Sequence, residues 1–104
     1  MSYKDEYHPR VKSDLKKLDR EVVREFFRLH IENILHEPNI WERLHGDLEG
    51  VYSYHFRKNR VDYRAAYTIE EAEKIVYILM VGKRESFYDI LKRRMPYTVY
   101  KPLT

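Results

Sequence analysis

A chain of 104 residues with a net charge of +3 and no cysteine has the size of one domain. Such a chain can bury roughly two-thirds of the surface its unfolded form exposes, and without cysteine it has no disulfide framework, thiolate nucleophile or Cys-based zinc site. The longest apolar run, Ile75 to Val81, has seven residues, far short of the ~20 that span a bilayer, and Met1 to Glu6 lacks the apolar stretch of a signal peptide; a cytoplasmic protein with no membrane association is expected.

Tyr3 to Tyr7 reads as a short first strand. Pro9 suits the start of a helix, and Val11, Leu15 and Leu18 then share one helical face. Asp19 is placed to cap a second helix. There Val23, Phe26, Phe27, His30, Ile31 and Ile34 form an apolar stripe, which Pro38 and Asn39 end. The two helices should form an antiparallel hairpin. Residues 39–50 read as a connecting loop, with Ile40, Trp41, Leu44 and Leu48 plugging the core and Gly46 and Gly50 supplying turns. Val51–Phe56, Val61–Ile69 and Ile75–Val81 are strand-like, and their short connections predict an antiparallel meander. A last helix over Arg84–Arg93 should end before Pro96. The tail, residues 95–104, is expected to be a short edge strand or disordered.

The predicted fold is therefore α+β and one domain over 1–104. Its order is β-α-α-β-β-β-α, with the helix hairpin packed on a twisted antiparallel sheet. The expected core is Leu15, Phe26, Phe27, Ile31, Trp41, Leu44, Tyr54, Tyr67 and Leu79.

Residues 1–50 carry nine Lys and Arg against eleven Asp and Glu, whereas residues 51–104 carry eleven against six. Any polyanion site therefore belongs to the second half. Strand alternation sorts its side chains. Tyr52, Tyr54 and Phe56 share a face, as do Tyr63, Ala65, Tyr67 and Ile69; these should pack on the helices. The other face displays Ser53, His55 and Arg64. The third strand is apolar on both faces, as a central strand should be, and delivers Lys83 and Arg84. Gly82 is read as the sharp turn into the helix, with Arg84 and Tyr88 at i and i+4 on one helical face. A guanidinium can fork two hydrogen bonds to a phosphate, and a phenol can stack on a base or exchange a proton.

Other chemistries fit poorly. The five histidines, His8, His30, His36, His45 and His55, lack metal-ligand spacing, and His30 falls on the apolar stripe. There is no Gly-rich phosphate loop and no Gly-x-Ser-x-Gly. Metal-free chemistry by Arg, Lys, His or Tyr remains.

Three segments, in order, carry a resemblance. They are Leu44-x-Gly46-x-Leu48-x-Gly50-x-Tyr52, Asp62-Tyr63-Arg64-Ala65-Ala66-Tyr67, and Val81-Gly82-Lys83-Arg84-Glu85 followed by Tyr88. Together they resemble the RelE-type toxins of toxin–antitoxin systems over about residues 3–94. The resemblance implies a RelE-like fold and a ribosome-dependent mRNA endoribonuclease that needs neither metal nor cofactor. In it the message's 2′-hydroxyl attacks the adjacent phosphate, leaving a cyclic phosphate and a free 5′-hydroxyl. By position, Arg64 and Arg84 would bind the scissile phosphate and its developing charge, and Tyr88 would stack on or orient a nucleotide or help activate the hydroxyl. Some relatives place two lysines where this chain has Ser53 and His55. His55 is then the candidate acid or base, with Ser53, Lys58 and Lys83 as substrate-binding candidates. The implied partners are a RelB-like antitoxin, the ribosome and mRNA. The alternatives are a ParE-like toxin acting on DNA gyrase and a basic RNA- or ribosome-binding module without catalysis. ParE-like relatives tend to lack the Arg and Tyr of the turn.

Overall fold

The computed structural model describes residues 2–98. Strand β1 (Lys4–Tyr7) leads into helix α1 (Val11–Lys16). The second helix of the hairpin is continuous in three pieces: α2 (Arg20–Glu25), a π-helical stretch (Phe26–His30) and α3 (Ile31–His36). Asp19 takes the N-cap position without a side-chain cap bond; its carbonyl accepts from the amides of Val22 and Val23. After Pro38 the chain runs through a two-residue strand β2 (Glu42–Arg43), then β3 (Tyr52–Lys58), β4 (Val61–Glu70), β5 (Ile75–Lys83) and α4 (Phe87–Thr98). The stretch read as a plain loop therefore contributes an edge strand.

The five strands lie in the order β1-β5-β4-β3-β2. The β3-β4-β5 meander is antiparallel, as predicted. β1 joins β5 in parallel, because the helix hairpin carries the chain across one face from β1 to the far edge at β2. β5 is thus an interior strand, paired on both sides and covered on both faces, which explains its apolar character. A register shift opposite Ala66 and Tyr67 interrupts its alternation. Val76, Ile78 and Val81 consequently face the hairpin core, while Leu79 and Met80 join the core beneath α4.

The sheet is covered on both sides. On one, Val22, Phe26, Ile34 and Val11 pack on Tyr54, Phe56, Tyr63 and Tyr67, so the aromatic faces do meet the helices. On the other, Phe87 and Leu91 of α4 pack with Leu44, Leu48, Leu79 and Met80. Most of the expected core is buried: Phe26, Ile31, Leu44, Tyr54, Tyr67 and Leu79. Leu15 and Trp41 are half-buried. Two apolar residues are not core. Phe27 is 41 % exposed beside a fully buried Phe26. The wider π turn places the residues after Phe26 differently around the helix axis than 3.6-residue periodicity assumes. Phe27 rests instead at the rim, against Tyr7. Ile40, read as a plug, is also exposed; it ends the 3-10 turn Pro38–Ile40, and Pro38 is the buried residue there.

The turn into α4 also differs from expectation. Gly82 stays within β5 and lacks a positive φ. The reversal is made at Ser86, whose φ is 58°, after the Arg84 amide has closed the sheet on the Asp62 carbonyl. Arg84 therefore sits in the turn and not on a helix. α4 starts at Phe87 and continues through Pro96, where a proline would ordinarily mark an end. Burial of Leu91 and Arg94 holds it on the sheet up to that point. The Arg94 guanidinium grips the Asp14 carboxylate of α1 with two bonds of 2.9 Å and the Leu79 carbonyl with one of 2.7 Å. Residues 95–98 are helical; the rest of the tail, 99–104, lies outside the described residues.

Candidate functional site

The antiparallel ladder puts His55 of β3 opposite Arg64 of β4, and Arg64 opposite Gly82 of β5. One row thus crosses three strands on the face that α4 only partly covers. Tyr88, in the first turn of α4, closes over this row. Its hydroxyl donates to Ser53 Oγ at 3.2 Å, and the Arg64 guanidinium lies 4.9 Å from its ring centroid. Ser53, Arg64 and Tyr88 are therefore one cluster built from β3, β4 and α4. Ser53 is buried beneath the ring, where it holds the phenol.

Beside the cluster lies an open cavity of about 420 Å³ lined by His55, Arg57, Asp62, Arg64 and Arg84. Arg84 reaches it from the turn and remains largely exposed, with one guanidinium nitrogen 3.6 Å from Asp62 Oδ2. Arg57 approaches the other oxygen of Asp62 at 3.9 Å. His55 is half-exposed, and its Nε2 lies 2.9 Å from Glu42 Oε1 on the edge strand β2. An exposed, loosely paired guanidinium can exchange its carboxylate for another anion at little cost, and Arg64 and Arg84 line the same cavity.

Two candidates lie elsewhere. Lys58 follows the parity of Tyr54 and Phe56 and faces the hairpin, with Nζ 3.0 Å from Glu25 Oε1. Hydrogen bonds from His30 and Lys58 hold that carboxyl below its usual range. Lys83, opposite Tyr63, points to the hairpin side and lines a separate cavity with Lys17 and Leu18. Sequence reasoning missed Asp62, Arg57 and Glu42. Asp62 shares strand parity with Arg64, a signal that was present. Arg57 reads as a turn residue in the sequence but belongs to β3. Glu42 had no signal, because a two-residue strand leaves no periodicity.

Among the described residues no group of three or more His, Asp or Glu is placed to hold a metal, and no helix is long and apolar enough to cross a membrane.

The helix hairpin packed on the β3-β4-β5 meander, with α4 on the opposite face, is the arrangement found in small bacterial toxins. The model of the ParE-like toxin of type II bacterial toxin–antitoxin systems matches residues 6–92, and the chain belongs to that family. No curated protein matches the chain by sequence. Solved structures match it in fold. Free E. coli RelE, in a form with two arginines replaced by alanine, is 26% identical with a TM-score of 0.71, covering 91% of this chain and 99% of that one. The RelBE2 toxin–antitoxin complex of Mycobacterium tuberculosis gives 25% identity and a TM-score of 0.69, covering 81% and 100%. The intact E. coli RelBE complex gives 26% and 0.65, covering 81% and 99%. The fold is thus RelE-like.

Proposed function

We propose that this toxin is a metal-independent, ribosome-dependent mRNA endoribonuclease. One observation carries the reading: Arg64 and Arg84 flank a single open cavity beside an aromatic ring held in place by Ser53. The two guanidiniums bind the scissile phosphate and the charge that develops on it, a type of stabilisation that is often the largest catalytic term. Tyr88 stacks on a neighbouring nucleotide. The 2′-hydroxyl attacks phosphorus and gives its proton to His55, while the 5′-oxygen leaves with a proton from water. Lys58 and Lys83, on the other side of the sheet, add to the field that attracts RNA without touching the reacting phosphate. Antitoxin complexes of similar proteins and the positive charge of residues 51–104 support an acidic, RelB-like antitoxin as partner and action in the cytoplasm, where ribosomes are.

The test is cleavage of ribosome-bound mRNA by the purified protein. Products should carry a 5′-hydroxyl and a cyclic phosphate, and a chelator should not slow the reaction once ribosome integrity is controlled. The family's ParE-like description favours DNA gyrase as the second reading. Gyrase inhibition with intact mRNA would establish it in place of the first.

A further inference from the structure

His55 is half-exposed on the open face of the sheet, and a surface imidazole that accepts a proton needs its ring held in one orientation. We infer that Glu42 is its positioning residue. Glu42 fixes the imidazole with the proton on Nε2 and leaves Nδ1 as the proton-accepting atom. This inference rests on the ribonuclease reading of the site.

The contact favours one tautomer. Glu42 Oε1 is 2.9 Å from Nε2, and an ionised carboxylate only accepts hydrogen bonds. A proton on Nε2 turns the contact into an attraction, whereas a lone pair there would face the carboxylate and repel it. Nδ1 makes no hydrogen bond among the described residues, and the ring lines the open cavity together with Arg64 and Arg84. A base oriented by a carboxylate on its far nitrogen is the arrangement that generalises across hydrolytic sites.

The edge strand exists where the pair needs it. Glu42 pairs with Ser53, so its side chain is the diagonal neighbour of His55 across the ladder. The next residues lock that register: Leu44 donates to the Val51 carbonyl, and Arg43, of opposite parity, turns to Tyr52 and Glu49.

Charge balance points the same way. The groups around His55 are Glu42 on β2, Arg57 on β3, Asp62 and Arg64 on β4, and Arg84 in the turn. Asp62 is shared by Arg57 and Arg84. Glu42 is then the carboxylate left to stabilise an imidazolium formed among three guanidiniums. In the reaction, the proton of the attacking 2′-hydroxyl passes to Nδ1 as the P–O bond forms. The 5′-oxygen takes a proton from water as its bond to phosphorus breaks. The resulting hydroxide recovers the proton from His55, so no proton is gained or lost. The pair is about half exposed on both sides, 46% and 53%, so it adds little stability and its variants should fold.

Nitrogen-15 NMR of the free, full-length protein reads the tautomer directly. With the ring neutral, wild type should show the Nε2-protonated form. Glu42→Ala should show a mixture. Glu42→Gln should keep the wild-type form, because its amide oxygen still accepts. In single-turnover cleavage, Glu42→Ala should lose about tenfold or more, part of the 10²–10⁴ that proton transfer contributes, while Glu42→Gln recovers some of it. In a His55→Ala background the Glu42 substitutions should be silent. A tautomer mixture in wild type overturns the inference, as does a Glu42→Ala loss of equal size with and without His55. Wild-type protein that cleaves no RNA overturns the ribonuclease reading instead, and the tautomer then still decides whether Glu42 orients His55.

Discussion

The two faces of the sheet are built from alternating residues of the same strands, yet they treat polar groups in opposite ways. On the hairpin face, His30 is buried with both ring nitrogens engaged: Nδ1 is 2.8 Å from the Tyr54 hydroxyl and Nε2 is 2.9 Å from Glu25. Its ring stacks on Phe56. Asn33 donates to Tyr54 and Lys58 pairs with Glu25, so the network closes on itself. One residue along β3, His55 faces the other way with one nitrogen held, and Arg84 is paired only loosely. A closed buried network specifies and stiffens a core. Half-satisfied, exposed polar groups are still available to a ligand. The same residue type is structural at one position and a site candidate at the other because of strand parity and burial.

The largest expected effect separates the faces by stability. Phe26→Ala removes a fully buried ring from the hairpin core and should cost about 3–5 kcal/mol. Phe27→Ala, at the rim, should cost less than about 1 kcal/mol. Urea denaturation of the free toxin measures both. Equal losses would mean that the π stretch does not set the inward face.

The next effect runs the other way. Arg64→Ala or Arg84→Ala should slow single-turnover mRNA cleavage by about a hundredfold or more, the scale of losing one charge-stabilising donor, while the denaturation midpoint barely moves. Ribosome affinity should fall less, because many basic residues share the phosphate contacts. An Arg84→Ala protein that cleaves at the wild-type rate would leave the cavity as a binding surface without catalysis.

This separation was largely readable before the fold was known. Period-two alternation assigned Tyr54, Phe56, Tyr63 and Tyr67 to one face and Ser53, His55 and Arg64 to the other, because a sheet buried by helices permits only one register. What could not be read were features set by tertiary context. The π stretch breaks helical periodicity at Phe27. The turn uses a positive φ at Ser86, a residue without the glycine that advertises one, so Arg84 appeared to be helical. Lys58 and Lys83 were grouped with the site by charge, although their parity places them on the hairpin side. Glu42 belongs to a strand of two residues that only pairing with β3 creates.

Tyr88 sharpens the comparison at the point where α4 meets the open face. Tyr88→Phe keeps the ring on Arg64 and loses only the bond to Ser53, so it should cost about 1 kcal/mol or less in activation free energy. Tyr88→Ala also removes the ring and should cost about 1–3 kcal/mol, the worth of a base stack. Single-turnover rates decide. A loss in Tyr88→Phe as large as in Tyr88→Ala would assign the phenol a proton-transfer role in place of stacking.

The smallest effect concerns a third histidine, His8, on the closed side of the molecule. It is buried between β1 and α1, and its Nδ1 accepts from the Arg10 amide at 3.0 Å. A protonated imidazole has no lone pair there and could not make this bond. Burial, then the charges of Arg94 and Arg10, push its pKa below the usual histidine value, against a smaller opposing pull from Asp14. The folded state therefore prefers neutral His8 more strongly than the unfolded chain does. The unfolded chain binds more protons on this side chain as pH falls, so the stabilisation is fully present above the unfolded pKa of about 6.5 and is lost as pH drops from there towards the folded value. His8→Asn, which cannot titrate, should lose less stability than wild type between about pH 7.5 and pH 5.5, the window set by that reference value. Every other ionisable group is common to both proteins, so the difference between the two urea midpoints isolates His8. Equal losses would show that His8 does not couple folding to pH.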